Sequence, residues 1–417
     1  MKRSAAIGGA LPLLTGLSML VTGLMESMKG FLPDFFLNEY QFDAQTSGLI
    51  FAFSSAGLLG ANMLAGRITA LWGWQRAFSI HQAIFAAGMT LLALLSASSA
   101  AAWCGMFLMT GYANGIVGMV CNVALPLASP ERAGQLLGRL HFMMGCGFMI
   151  GPLALELTVS GKSTAQAAVT WQLVLFAFAV FGALLAFAGS RLAWPSVGSK
   201  PGRNELAGKT KGEAPHVQRI NSGSVLPLAC FGLLYFCYVG AEVGLTVWYR
   251  PLLLQQYGLE PSLATLLYSV AFAGLTALRL GVSRSVKRWG YSGVLIRCAA
   301  LAILCLLWGS FVPGVLGAFG YAVFLIAIAM IFPTMTALAV HYWGELAASR
   351  MGLFFACGFA GGACSIWLIG ALQQSASFRQ AIMVVTGLFL VFTAALFGVL
   401  RIQSIDRRVA NEITSSV

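Results

Sequence analysis

The sequence predicts an all-α integral membrane protein, with twelve transmembrane helices arranged as two pseudo-symmetric six-helix bundles. Three observations carry this expectation. Of the 417 residues, 59% are hydrophobic and only 9% charged, against roughly 25% charged in an ordinary soluble domain. The chain also divides into about a dozen apolar stretches, each of the roughly 20 residues that cross a bilayer as a helix. Finally, the second half repeats a pattern of polar and aromatic residues found in the first.

Taken in order, the apolar stretches run near 11–36, 45–66, 77–97, 102–128, 136–158 and 169–190, then 225–249, 263–282, 290–312, 315–341, 349–372 and 380–400. The first, from Leu11, is too long for a signal peptide and lacks a small-residue cleavage site, so it reads as a spanning helix. The polar stretch from Arg191 to Ser224 is rich in Gly, Ser, Lys and Pro, the composition of a flexible linker. It separates an N-terminal bundle, 1–190, from a C-terminal bundle, 225–417, which ends in a short tail.

Charge orients the chain. With both termini on one side, that side holds all but four of the 25 Lys and Arg residues; the exceptions are Lys29, Lys162, Arg250 and Arg379. Basic loops stay in the cytoplasm, so both termini are expected there, and the bilayer is the chain's first partner. The net charge of +12 is therefore a topology signal, and no nucleic-acid partner is expected. The nine cysteines fall inside apolar segments without metal-ligand spacing, as expected of buried, inert thiols.

The internal repeat is specific. Glu26, Tyr40, Arg67 and Trp72-Gly73-Trp74 are matched by Glu242, Tyr257, Arg284 and Trp289-Gly290-Tyr291, at offsets of 216 or 217. Arg139 with Cys146-Gly147-Phe148 is matched by Arg350 with Cys357-Gly358-Phe359, at an offset of 211. Two six-helix units built on one template form the parallel repeat of secondary transporters.

At this point the chain resembles the major facilitator superfamily. The superfamily's loop motif after span 2, Gly-x-x-x-Asp-Arg-x-Gly, is represented by Gly66 to Arg76, with Ala70 at the Asp position. Further strings resemble its fucose and glucose/galactose sugar:proton symporters. They are Leu140-His141-Phe142 leading to Gly145-Cys146-Gly147 and Gly151-Pro152, and Tyr238-Val239-Gly240-Ala241-Glu242 leading to Trp248. Gly274-Leu275-Thr276 before Arg279, and Ile331-Phe332-Pro333-Thr334, belong to the same set. The resemblance implies the major facilitator fold, a bacterial inner (plasma) membrane, and alternating access driven by protons. It also implies a small-molecule substrate, a sugar or sugar derivative, and a monomer with no cofactor.

The chemistry must rest on polar groups inside the spans, because a charge at the bilayer centre costs at least ~2.5 kcal/mol and usually faces a cavity. Three carboxylates qualify. Glu156, near the outer end of span 5, is expected to reach water. Glu26 lies mid-span with Lys29 three residues later on the same helical face. That pair either neutralises itself or leaves Glu26 as an exchangeable carboxyl; the resemblance, in which an acidic residue on span 1 carries the proton, favours Glu26 as proton carrier. Glu242, its repeat mate, is a second proton site or a carboxylate for substrate hydroxyls, with binding preferred.

His141 serves packing, substrate contact or proton relay. Asn114 and Asn122 share a face of span 4, and Asn122 matches the family pattern, whose acidic residue four positions earlier is Gly118 here. Tyr238, Trp248 and Tyr268 are candidates for stacking on a sugar ring, and Lys29 for meeting an anion. Arg67, Arg279 and Arg284, at the cytoplasmic ends, are read as snorkelling residues with a gating role. No phosphate loop, zinc motif or nucleophile elbow occurs in the sequence, so an enzyme is not expected. The competing reading is a transporter, inward or outward, of a small anionic metabolite or drug-like solute.

Overall fold

A computed structural model describes residues 10–94, 99–129, 132–159, 162, 164–195, 225–343 and 347–415, so most of the expected linker lies outside the described residues. Thirteen helices are described: α1 (Ala10–Met28), α2 (Leu32–Tyr40), α3 (Ala44–Leu94), α4 (Ala100–Ala128), α5 (Ala133–Val159), α6 (Thr164–Arg191), α7 (Val225–Gln255), α8 (Pro261–Arg279), α9 (Val282–Phe311), α10 (Gly314–Ala327), α11 (Ile331–Trp343), α12 (Ala347–Leu372) and α13 (Phe378–Ser415).

Eleven helical stretches among the described residues, with α10 and α11 counted as one, are long and apolar enough to cross a membrane, and the length of one of them suits two crossings. At 51 residues, α3 would run about 77 Å at 1.5 Å per residue, far more than one bilayer. It folds back at Gly73 (φ 73°, ψ 167°). In the C-terminal half α9 breaks at Gly290 (φ 68°, ψ 169°). Both are left-handed backbone positions that only glycine takes at little cost. They lie 217 residues apart, the offset of the repeat, so the template extends to backbone torsions.

Two spans are interrupted. The first, read from sequence as one helix over 11–36, stops at Met28; Lys29, Gly30 and Phe31 form tight turns before α2 begins. The expectation of a continuous helix is corrected here. Pro33, near the start of α2, has no N–H to continue the α1 ladder. Span 10 is likewise divided, by a 3-10 turn at Ile328–Met330 between α10 and α11.

Helices α1–α6 and α7–α13 make the two bundles. Within them α1 lies on α5, and α7 on α12, each through glycines. A side chain at Gly147 would collide with the α1 backbone at Leu20 and Leu24, and one at Gly361 with the α7 backbone at Phe236. The bundles meet along α3 with α12 and α5 with α8. Not every cysteine is buried as expected: Cys364 is exposed.

We call the face at which α1 begins and α6 ends the terminal face, and the opposite one the far face. One stripe of α5 shows how the bundles part. Glu156 bonds Thr265 of α8, Phe148 stacks on Phe272 at 4.8 Å, and Gly145 abuts Thr276. Further toward the terminal face His141 is exposed, and nothing approaches within 4 Å of a side chain built at Gly138. On the α3–α12 seam Gly48 and Gly370 are in close contact with the opposite helix, while Gly66 and Gly352 face open space. The bundles are closed at the far face and open at the terminal face.

Candidate functional site

The interruption of span 1 places two charges at the middle of the molecule. Lys29 Nζ donates to Glu26 Oε2 at 2.6 Å and to Ser54 Oγ of α3 at 3.0 Å. The side chains are 3% and 16% exposed for Lys29 and Glu26. Two charges so deeply placed hold together because an unpaired one would lose most of its hydration. The other carboxylate oxygen, Glu26 Oε1, is buried with no hydrogen-bond partner among the described residues, and so is the hydroxyl of Tyr268 on α8. Glu26 and Arg250 are the charged neighbours of Tyr268. Two buried polar atoms of this kind, one from each bundle, are costly to leave unbonded.

The repeat mate, Glu242, is bound differently. Arg279 Nη2 donates to Glu242 Oε1 at 2.9 Å, and Tyr238 lies against both groups. This pair is wetter, with side chains 32% and 19% exposed for Arg279 and Glu242. Arg279 is also the charged neighbour of His141 across the open seam. The ion pair of Arg279 joins α7 to α8 within one bundle.

Other residues singled out from sequence take structural partners. Asn114 donates to Met25 Sδ at 3.0 Å and thereby fixes α4 against α1 beside Glu26. Asn122 bonds back to the Gly118 carbonyl at 2.8 Å. Trp248, 1% exposed, donates its indole N–H to the Ile366 carbonyl at 3.0 Å and packs α7 on α12. Tyr238 and Tyr268 are also buried. Arg67 and Arg284 are exposed, and neither has an ion-pair partner among the described residues, so no contact between bundles supports a gating role for them.

An ion-pair contact between the bundles was not anticipated. Arg250, at the far end of α7, donates through Nη1 to Asp34 Oδ2 of α2 at 2.8 Å and through Nη2 to Glu156 Oε2 of α5 at 3.2 Å. Its Nε donates to Thr265 Oγ1 of α8 at 3.2 Å, and that hydroxyl donates to Glu156 Oε2 at 2.9 Å. The guanidinium also lies 4.0 Å from the centre of the Phe31 ring, a favourable cation–π geometry. Glu156 therefore does not simply reach water, as its position predicted; it is one jaw of a far-face lock. A signal was present in the sequence. Asp34 and Arg250 carry opposite charges at an offset of 216, the offset of the repeat, so they are mates. Mates face each other across the pseudo-two-fold axis, and only those beside the axis touch.

A sequence model of the Major Facilitator Superfamily matches residues 15–366. No curated protein matches the chain by sequence. Among solved structures, the D-xylose-proton symporter superimposes with a TM-score of 0.77 at 14% identity, covering 93% of this chain and 96% of that one. The xylose transporter XylE from E. coli, in an inward-open conformation, gives 0.76 at 12% identity, with 93% and 94% covered. A mutant form of the nucleoside transporter NupG gives 0.71 at 16% identity, with 93% and 99% covered. At these identities the likeness is one of fold.

Proposed function

The chain belongs to the major facilitator superfamily and is a membrane transporter rather than an enzyme, and on that premise we propose that it moves a small, hydroxyl-rich polar solute by proton-coupled alternating access. The solute is a sugar or sugar derivative, and Glu26 is the proton carrier. Residues 1–190 and 225–417 are the moving bundles, and 191–224 their cytoplasmic linker. By the positive-inside rule the terminal face is cytoplasmic, so the conformation described is open inward and locked outward.

The observation that carries this reading is the carboxylate of Glu26. One oxygen is engaged by Lys29 and the other is buried and free, on an interrupted helix. A buried carboxyl that exchanges its partner for a proton becomes neutral without leaving the site, and Lys29 retains Ser54. Sugars present both donors and acceptors, which suits the two open oxygens of Glu26 and Tyr268. The fold relatives include a xylose symporter and a nucleoside transporter, and both solutes carry several hydroxyls. An anionic substrate is disfavoured, because Lys29 and Arg279 are already paired with carboxylates in their own bundles.

The experiment is uptake into proteoliposomes under an inward proton gradient, across pentoses, hexoses, nucleosides and small organic acids. One or more of the neutral solutes should accumulate. Glu26→Gln should lower accumulation at least tenfold while leaving exchange of labelled for unlabelled solute. Undiminished accumulation by Glu26→Gln overturns the carrier role, and accumulation of the acids alone overturns the solute class.

A further inference from the structure

The central pair and the far-face lock belong to one short stretch of chain. Glu26 and Lys29 form the pair; Phe31 and Asp34, two to five residues later, touch Arg250. Between them Gly30 lies flat against the Tyr268 ring, where a side chain would sit only 3.1 to 3.2 Å from ring atoms. Tyr268 stacks on Tyr249 at 6.2 Å, and Tyr249 adjoins Arg250. Two routes thus run from pair to lock: through Phe31, and through Gly30, Tyr268 and Tyr249.

The turns at 29–31 are held by i→i−3 bonds in place of the α-helical ladder, so this is the part of span 1 able to change torsion without unfolding either neighbour. Lys29 heads those turns, and its position is set by Glu26 on α1 and Ser54 on α3. Removing the charge of Glu26 leaves Lys29 with Ser54 alone and shifts what holds the turns in place. Arg250 depends on the same stretch for two of its contacts, Phe31 and Asp34. Its remaining partners, Glu156 and Thr265, come from α5 and α8.

We propose that the interrupted segment from Glu26 to Asp34 transmits the state of the central Glu26–Lys29 pair to the Arg250 lock, with Gly30 and Phe31 as positioning residues. Neutralising Glu26 loosens the lock on the far face although Glu26 touches none of its members. Coupling of this kind is a free energy shared by two sites through a two-state element. The inference rests on the proposed role of Glu26 as the exchangeable group.

The test is hydrogen–deuterium exchange on the full-length protein in nanodiscs, without solute or gradient, read at residues 32–43 and 254–265. Arg250→Gln should raise exchange in both segments, with Arg250→Lys intermediate. Glu26→Gln should raise it at the same places by about fivefold or more. In Glu26→Gln/Phe31→Ala the two effects should be less than additive, because the second change removes one of the two routes. Gly30→Ala, a milder change, should raise far-face exchange with Glu26 intact. An unchanged far face in Glu26→Gln, or full additivity with Phe31→Ala, overturns the coupling. Because the readout needs no transport, coupling that persists while Glu26→Gln still accumulates solute refutes the carrier role alone.

Discussion

The two bundles solve one problem in different ways. Each carries a carboxylate at matching places in the template, Glu26 and Glu242, and each neutralises it with a local cation. In the N-terminal bundle the cation is Lys29, on the same segment, and the pair is nearly sealed. In the C-terminal bundle it is Arg279, from the next helix, and the pair faces the open seam. Neither cation has a charged mate. At an offset of 216 or 217 Lys29 corresponds to Leu245 or Thr246, and Arg279 to Met63 or Asn62. The shared template supplies the acid, and each half adds its own base. Since Lys29 stands in a broken stretch and Arg279 closes a continuous helix, the first pair is the one able to move.

The largest expected effect separates the pairs by stability. Lys29→Ala leaves a buried carboxylate without a partner, a change that costs about 3–5 kcal/mol. It should strongly lower the thermal midpoint in detergent, and Lys29→Ala/Glu26→Gln should recover most of the loss. Arg279→Ala leaves Glu242, 19% exposed, beside Tyr238 and should cost less, about 1–3 kcal/mol. Equal losses would abolish the distinction.

Trp248→Phe tests whether the span carrying Glu242 is held by packing. Losing one neutral hydrogen bond to Ile366 should cost about 1 kcal/mol and leave solute affinity within twofold. A large loss of affinity would return Trp248 to the binding surface.

The smallest effect concerns the seam itself. Asp43, between α2 and α3, accepts from the Thr46 N–H at 2.8 Å and from Gln374 of the other bundle at 2.7 Å. The Thr46 bond holds its carboxyl below the ordinary value. A depressed folded-state value means stabilisation that is present above the ordinary carboxylate range and lost as pH falls through the depressed value. Thermal midpoints in acid should show this fall in the original protein. In Asp43→Asn it should be absent, with the helix cap largely kept at neutral pH. An unchanged acid profile in Asp43→Asn would exclude the contribution.

Much of the fold was legible because its causes are local or periodic. Apolar length marks a span wherever it occurs, and the tryptophan-glycine strings around Gly73 and Gly290 marked the repeat through their constant offset. The break after Met28 was missed because the apolar run continues through it; hydropathy does not register a lost turn of helix. Glu26 and Lys29 were visible as a pair because three residues always share a helical face. Arg279 was read from its place at a helix end as a snorkelling residue with a gating role; its ion-pair partner, on a neighbouring helix, was not legible.

The sequence by itself determined that the chain lives in a membrane, that it is a doubled six-helix unit, and which few charges resist the sorting of the bilayer. These follow from composition, length and repetition, which require no knowledge of neighbours. Only the tertiary structure decided what those charges do, because an ion pair is chosen by distance in space. Arg250 finds Asp34 and Glu156 from 216 and 94 residues away, and it does so because the bundles close around their pseudo-axis at the far face while remaining open at the other.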